Sequence, residues 1–400
     1  MSSSRAAFSR RAILLGAAGA TGLALAACAP TPGAPGTGQT PGRTPVPTGP
    51  APVPVVSITA PSGLATLRPE DPIEVEVTDG KLAEVTATAA DGTVLAGEVT
   101  GSQWKPERNF LVRTDYTLEV VVTDNNGEPH THYAQATTVN PELVVEVDLR
   151  FAGQVVGNGL PVWVRFDMPV NDDQRAAIEQ TASITTNPPQ EGSWGWFDQT
   201  TLWWRPRDYW QPNSTAHVEV KAAGLPAGDT WVLADVSGDY QFGDLRVLQT
   251  NIDTHTTTCL RNGEVVQILP VSMGKPGWET MTGTKLIMEK NETVIMDSES
   301  FGVPHDDPDG YRIVANKAQR ITWSGEYYHA APWADYAHGN SNVSHGCTGL
   351  SDANAAWLFD FTMIGDPAEF TGSTFPVQPH QTWGAWVYSW DDWQQLSALT

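Results

Sequence analysis

WKPERNFLVRTDYTLEV, residues 104–120, and WRPRDYWQPNSTAHVEV, residues 204–220, align without a gap at an offset of 100 residues. Trp104 and Trp204, Pro106 and Pro206, Glu119 and Glu219, and Val120 and Val220 coincide. A period of that size matches an immunoglobulin-like domain and is far longer than the units of a solenoid, at about 20 to 50 residues. Neighbouring runs such as IEVEVTD, YTLEVVVTDNNG and PVWVRFDMPV alternate apolar and polar residues and are broken by Asp-Gly and Asn-Gly turns. Period-2 alternation between such turns is the mark of half-buried strands. The chain therefore reads as mainly β, with two tandem immunoglobulin-like β-sandwiches over residues 55–143 and 144–243.

Upstream, residues 29–54 are dominated by Pro, Gly and Thr and contain nothing that could form a core, so they read as a tether. Residues 1–28 place Arg10 and Arg11 before an apolar segment, Ala12 to Ala27, too short for a membrane span of about 20 residues but suited to a signal-peptide core. The segment ends in Leu25-Ala26-Ala27-Cys28, which resembles a bacterial lipobox. That resemblance implies export, lipidation of Cys28, and anchoring to the outer face of the cytoplasmic membrane, in the cell-wall space. The paired arginines are compatible with twin-arginine export.

The 46 acidic residues against 23 Lys and Arg give a net charge of −23, and no basic run follows Arg11. Such a surface cannot make the counterion-releasing contacts that nucleic acid demands, which excludes nucleic acid as a partner.

From residue 244 the character shifts to histidines, Gly-rich loops and β runs, with one helix expected over 351–365. Ser351 or Asp352 would cap it, and Ala355, Leu358, Phe359 and Thr362 share one face. This catalytic-domain candidate covers 244–378, and a Trp-rich extension, 379–400, reads as an aromatic tail packed onto it, with a carbohydrate-stacking platform as the alternative.

Of three cysteines, Cys28 falls to the lipobox, and Cys259 lies in a strand-like run before the hairpin turn Asn262-Gly263, where a cysteine acts as a small hydrophobe. Cys347 is different. It lies in Ser344-His345-Gly346-Cys347-Thr348-Gly349, with few apolar neighbours and with glycine to let a carbonyl approach the backbone amides. A nucleophilic thiol needs a base or positive potential, and donors for an oxyanion. His345, two residues away, would share a strand face with Cys347. His329, from a separate segment, is the better-aimed base, and His338 is the second choice. A thiolate–imidazolium pair with His329 would hold the thiol below its free value of about 8.5. A zinc site from His329, His338, His345 and Cys347 is a chemical alternative, but no HExxH or CxxC accompanies them. No G-x-S-x-G elbow lies in this region, and a purely structural role for these residues stays open. No metal or cofactor is called for.

The residues YYHAAPW and HGNSNVSHGCTGLS resemble the signature of the L,D-transpeptidases, with a YkuD-type catalytic domain. PVSMGK, the DSESFGVPHDDPDGYR segment and the WDDWQQL tail are similar to the branch from mycobacteria and their relatives that carries tandem immunoglobulin-like domains. The resemblance implies a β-rich catalytic domain with one or two short helices. It also implies acyl transfer on peptidoglycan stem peptides, forming 3→3 cross-links, with carbapenem-type β-lactams as inhibitors. It gives Cys347 as nucleophile, His329 as base oriented by the Ala330 carbonyl, and the amides near His345 to Cys347 with the Tyr311 hydroxyl as the oxyanion site. Met296, Tyr311, Ser324 and Gly325, with Ser344, Gly346 and Gly349, would line the donor cleft, and the DSESFGVPHDDPDGYR segment its lid. Three positions depart from the pattern: Gly349 replaces an asparagine, Ala330 a serine, and Phe301 an aromatic hydroxyl of the lid.

Overall fold

The computed structural model describes residues 52–140, 143–228 and 231–400, so the signal segment, Cys28 and nearly all of the tether lie outside the described residues.

Both copies of the repeat fold as sandwiches of two four-stranded sheets. In the first, Val55–Thr59, Ile73–Thr78, Gln103–Pro106 and Gly97–Thr100 form one sheet and Val94–Leu95, Gly80–Ala89, Asp115–Asp124 and Pro129–Thr137 the other. In the second, Thr201–Pro206 and Thr215–Val220 lie in opposite sheets. The sequence match is thus a match of structural position. Trp104 and Trp204 are buried, each beside an aromatic six residues on, with ring centroids 6.1 Å apart for Trp104–Phe110 and 5.2 Å for Trp204–Trp210. An indole buries about 150–250 Å² of surface, so this pair of rings anchors each core.

The region after 244 adds two further sheets. One has five strands in the order Glu264–Pro270, Thr256–Arg261, Arg246–Asn251, Pro367–Thr371, Gly283–Leu286. The other has four: Glu289–Asp297, Arg312–Arg320, Tyr327–Ala330 and Thr348–Leu350. The Asn262-Gly263 turn has φ of 53° and 86°, the left-handed pair that a tight two-residue hairpin requires. Helix Asp352–Phe361 packs behind the four-stranded sheet, with the Ser351 hydroxyl accepting from the Asn354 N–H. Its buried stripe is Ala355, Leu358 and Phe361. Phe359, expected on that face, instead lies beneath the ammonium groups of Lys290 and Lys317. The helix ends at Phe361, so the stripe closes on an i+3 step rather than continuing from Phe359.

The Trp-rich extension forms short turns, Pro379–Gln381 and Gly384–Trp386, and a helix, Trp390–Gln394. It packs on the second sandwich as well as on the domain it follows. Trp393 is buried and donates to the Ser193 carbonyl at 3.0 Å, and Trp386 donates to that of Gly159 at 2.6 Å. The guanidinium of Arg205 is caged by Trp386, Trp390 and Trp393 at 4.5, 5.2 and 5.1 Å. These indoles pack around Arg205 and against the second sandwich, as an aromatic tail would, with Trp386 and Trp390 partly buried.

Candidate active site

The last strand of the four-stranded sheet begins only at Thr348, so residues 344–347 lead into it as a bent loop. Gly346 has φ +115°, a conformation that side-chain-bearing residues rarely adopt. His345 and Cys347 therefore do not sit as two residues on one strand face, because the backbone turns between them. The loop is stitched to the segment 272–275: Ser344 donates its N–H to the Met273 carbonyl, and Lys275 its N–H to that of Ser344, both at 2.9 Å. The Ser344 hydroxyl donates to the Cys347 carbonyl at 2.6 Å and accepts the Gly346 N–H at 3.1 Å. With the Ser344 and Gly346 N–H groups so engaged, those of His345 and Cys347 are the uncommitted backbone donors within the loop 344–347.

His329 comes from the adjacent strand, Tyr327–Ala330, where it pairs in register with Gly349. It is buried, and its Nδ1 is 2.8 Å from the Ala330 carbonyl. That contact fixes Nδ1 as the protonated nitrogen and leaves Nε2 as a lone-pair acceptor. Ala330 thus needs only its carbonyl, and the absence of a serine there costs the orientation nothing.

Cys347 and His329 open onto one cavity of about 320 Å³, whose walls include Met296, Tyr311, Ser344, His345 and Gly349. The thiol donates to the Gly325 carbonyl at 3.4 Å. Burial pushes the Cys347 thiol up to about 12, and burial also lowers His329 despite its bond to Ala330. Both shifts favour a neutral thiol and a neutral imidazole at rest over the thiolate–imidazolium pair expected with His329. Burial holds Tyr311 at about 12 as well, so its hydroxyl is a donor at neutral pH.

Ser324 does not wall the cavity: its hydroxyl bonds to that of Thr322. Gly325 contributes its carbonyl to the thiol from outside the cavity wall. His345 is held by the lid, with its ring 4.9 Å from Trp278 and 5.0 Å from Tyr311 and its Nε2 3.5 Å from Asp309. Asp309 also pairs with Lys275 and accepts from the Trp278 indole at 3.3 Å, so one carboxylate ties the lid to two loops of the site. Phe301 packs edge-on to Trp278 within the same cluster.

At Gly349 a Cβ would lie 3.0 Å from the Ala331 methyl and 3.6 Å from Nε2 of His338. A side chain at this cavity-lining position would therefore press on the Ala331 methyl. His338 is buried there, outside the cavity wall and 3.3 Å from Asp335. The four side chains considered as zinc ligands do not converge. Among the described residues the one such cluster is Asp297, Glu299 and His305, where Asp297 already pairs with Arg312. Cys259 and Cys347 are both free, and Cys259 is sealed in the core.

Sequence reasoning missed Trp333 and Tyr336, which form a wall of the cavity while remaining 51% and 73% exposed. The Trp333 ring lies 6.0 Å from His329. The signal was present, since both aromatics fall in the short segment between base and nucleophile.

Comparison with known proteins assigns both parts of the chain to families. The L,D-transpeptidase catalytic domain family matches residues 245–370, and the bacterial Ig domain family residues 65–226. The chain is 32% identical to L,D-transpeptidase 2 of Mycobacterium tuberculosis over 350 residues, 86% of this chain and 85% of that protein. It is 40% identical to L,D-transpeptidase 1 of the same organism over 220 residues, 55% of this chain and 82% of that protein. Among solved structures, the LD transpeptidase LdtMt1 in complex with imipenem is similar with a TM-score of 0.50 and 37% identity, covering 57% of this chain and 100% of that one.

Proposed function

Because the chain belongs to the L,D-transpeptidase family of acyltransferases, we propose that it forms 3→3 cross-links between peptidoglycan stem peptides through a thioester on Cys347. The observation that carries this reading is the shared cavity, onto which the Cys347 thiol and the His329 imidazole both open while Cys259 is sealed away.

Nε2 of His329 takes the thiol proton as Sγ attacks the carbonyl carbon that joins the third stem residue to the terminal D-Ala. Moving the proton only when the carbonyl is in place suits a site whose groups rest neutral. The oxyanion is met by the N–H groups of His345 and Cys347 and by the Tyr311 hydroxyl, donors fixed before the charge develops. The C–N bond breaks, D-Ala leaves with the proton from His329, and the acyl group stays on sulfur. A side-chain amine of an acceptor stem then attacks the thioester, giving up a proton through His329, and the thiol is regenerated. Trp333 and Tyr336 supply exposed aromatic surface on which the acceptor can lie. Imipenem, bound by a solved relative, offers the same carbonyl in strained form and is expected to acylate Cys347.

Mass spectrometry of tetrapeptide-bearing muropeptides after incubation with the purified protein tests this. A 3→3 dimer with release of D-Ala is the expected product. Tripeptide alone would mean that water resolves the thioester and the protein is an L,D-carboxypeptidase. Unchanged muropeptides would point to a wall-binding scaffold.

A further inference from the structure

Behind the nucleophile lies a group that the acyl-transfer chemistry does not use. Lys285, on strand Gly283–Leu286, is fully buried, and its ammonium bonds to the equally enclosed carboxylate of Glu326. The ammonium also stands 3.9 Å from the centroid of the Phe370 ring. Taking two charges out of water is costly, and an apolar pair of the same volume would stabilise a core at least as well. Stability alone is therefore a poor reason for the pair.

Its position suggests another. Glu326 follows Gly325, whose carbonyl accepts a hydrogen bond from the thiol, and stands three residues before His329 on the same segment. Its carboxylate also lies under Gly346, 3.7 Å from where a Cβ would project. That same oxygen, Oε1, accepts the Met281 N–H at 2.8 Å while Oε2 bonds the Lys285 ammonium, and the neighbouring Thr280 hydroxyl donates to the Gly346 carbonyl at 2.7 Å. The pair thus abuts the nucleophile loop, the turn that receives the thiol and the segment carrying the base.

The geometry points to Lys285 and Glu326 as positioning residues, a charge-balanced pair beneath the Cys347 loop that sets how readily the thiol gives up its proton. This deepens the proposed acyl transfer and rests on Cys347 being its nucleophile. In a low-dielectric interior, two opposite charges set side by side largely cancel at the thiol, whereas either alone would act on it strongly. Glu326 disfavours the thiolate and Lys285 favours it, within a site where burial is the larger influence. The thiol also faces Tyr311, Tyr327, the guanidinium of Arg320 over the Tyr327 ring, and the imidazoles of His329 and His345. Substitutions at 285 and 326 leave all of these in place.

The test is the pH profile of iodoacetamide labelling at Cys347, between pH 6 and 10, for Lys285→Met, Glu326→Gln and the double variant Lys285→Met/Glu326→Leu. Each is checked by circular dichroism and thermal melting, with Cys347→Ala as the blank. Lys285→Met is expected to slow labelling at a given pH about tenfold, and Glu326→Gln to speed it by a similar factor, one pH unit being a factor of ten. The double variant, with no unpaired charge to bury, is expected to fold and to label within about threefold of wild type. Two single variants that move in the same direction, or not at all, would overturn the inference. So would a folded double variant shifted by tenfold, which decides the matter even where a single variant fails to fold. Acylation of the wild type by imipenem keeps the two questions apart. If wild-type Cys347 takes no acyl group, the proposed function fails; if it does and the variants do not split, only this inference fails.

Discussion

With the Cys347 thiol held at about 12 by burial and the His329 imidazole lowered, charge separation within the pair must wait for substrate. A preformed ion pair would give iodoacetamide labelling a plateau near neutral pH. The neutral pair instead predicts labelling of wild-type Cys347 that climbs steadily from pH 7 to 10. His329→Ala should change that profile by less than about threefold while slowing acylation by imipenem on the order of a hundredfold, the share of a general base. A neutral-pH plateau that disappears in His329→Ala would restore the ion pair. Cys347 and His329 stand out in the chain from their residue types and segments, and Tyr311 enters only through the family resemblance. Their protonation could not be read there, since it follows from how deeply the fold buries them and from groups as distant in the chain as Lys285 and Glu326.

Among elements, those governed by neighbours in sequence were the legible ones. The Asn262-Gly263 hairpin, the Ser351 cap and the strands around Trp104 and Trp204 all follow from local turn chemistry or alternation. The loop 344–347 did not follow. Its bend is imposed by backbone bonds to Met273 and Lys275, some seventy residues away in the chain. Lys285 was equally hidden, since a lysine in a short strand ordinarily faces water, and only the fold brings Glu326 to it. The lid was recognisable as a segment, but its tie through Asp309 to Lys275, Trp278 and His345 depends on three separate loops.

At the scale of the molecule, the second sandwich, the catalytic domain and the extension share one core, in which Trp203, Trp210, Leu286, Met288, Trp383 and Trp393 are all buried. At its edge the Gly157 N–H donates to the Ile364 carbonyl at 2.7 Å and the Gly159 N–H to that of Gly365 at 3.0 Å. Asp366 is buried against Gly157 there, with one oxygen accepting from Met363 at 2.8 Å and the other unpartnered among the described residues. Burial raises this carboxyl to about 7. Because that lies above the unfolded value of about 4, the stability it contributes is full below pH 4 and lost as pH rises through 7. Thermal unfolding of Asp366→Asn should accordingly match wild type near pH 4 and exceed it at pH 8, by on the order of 2 kcal/mol. Equal pH slopes for the two proteins would refute that assignment. For the whole protein, the most direct test of the nucleophile is the intact mass after exposure to imipenem. Wild type and Cys259→Ala should each gain one imipenem, and Cys347→Ala none; an adduct on Cys347→Ala would contradict the account.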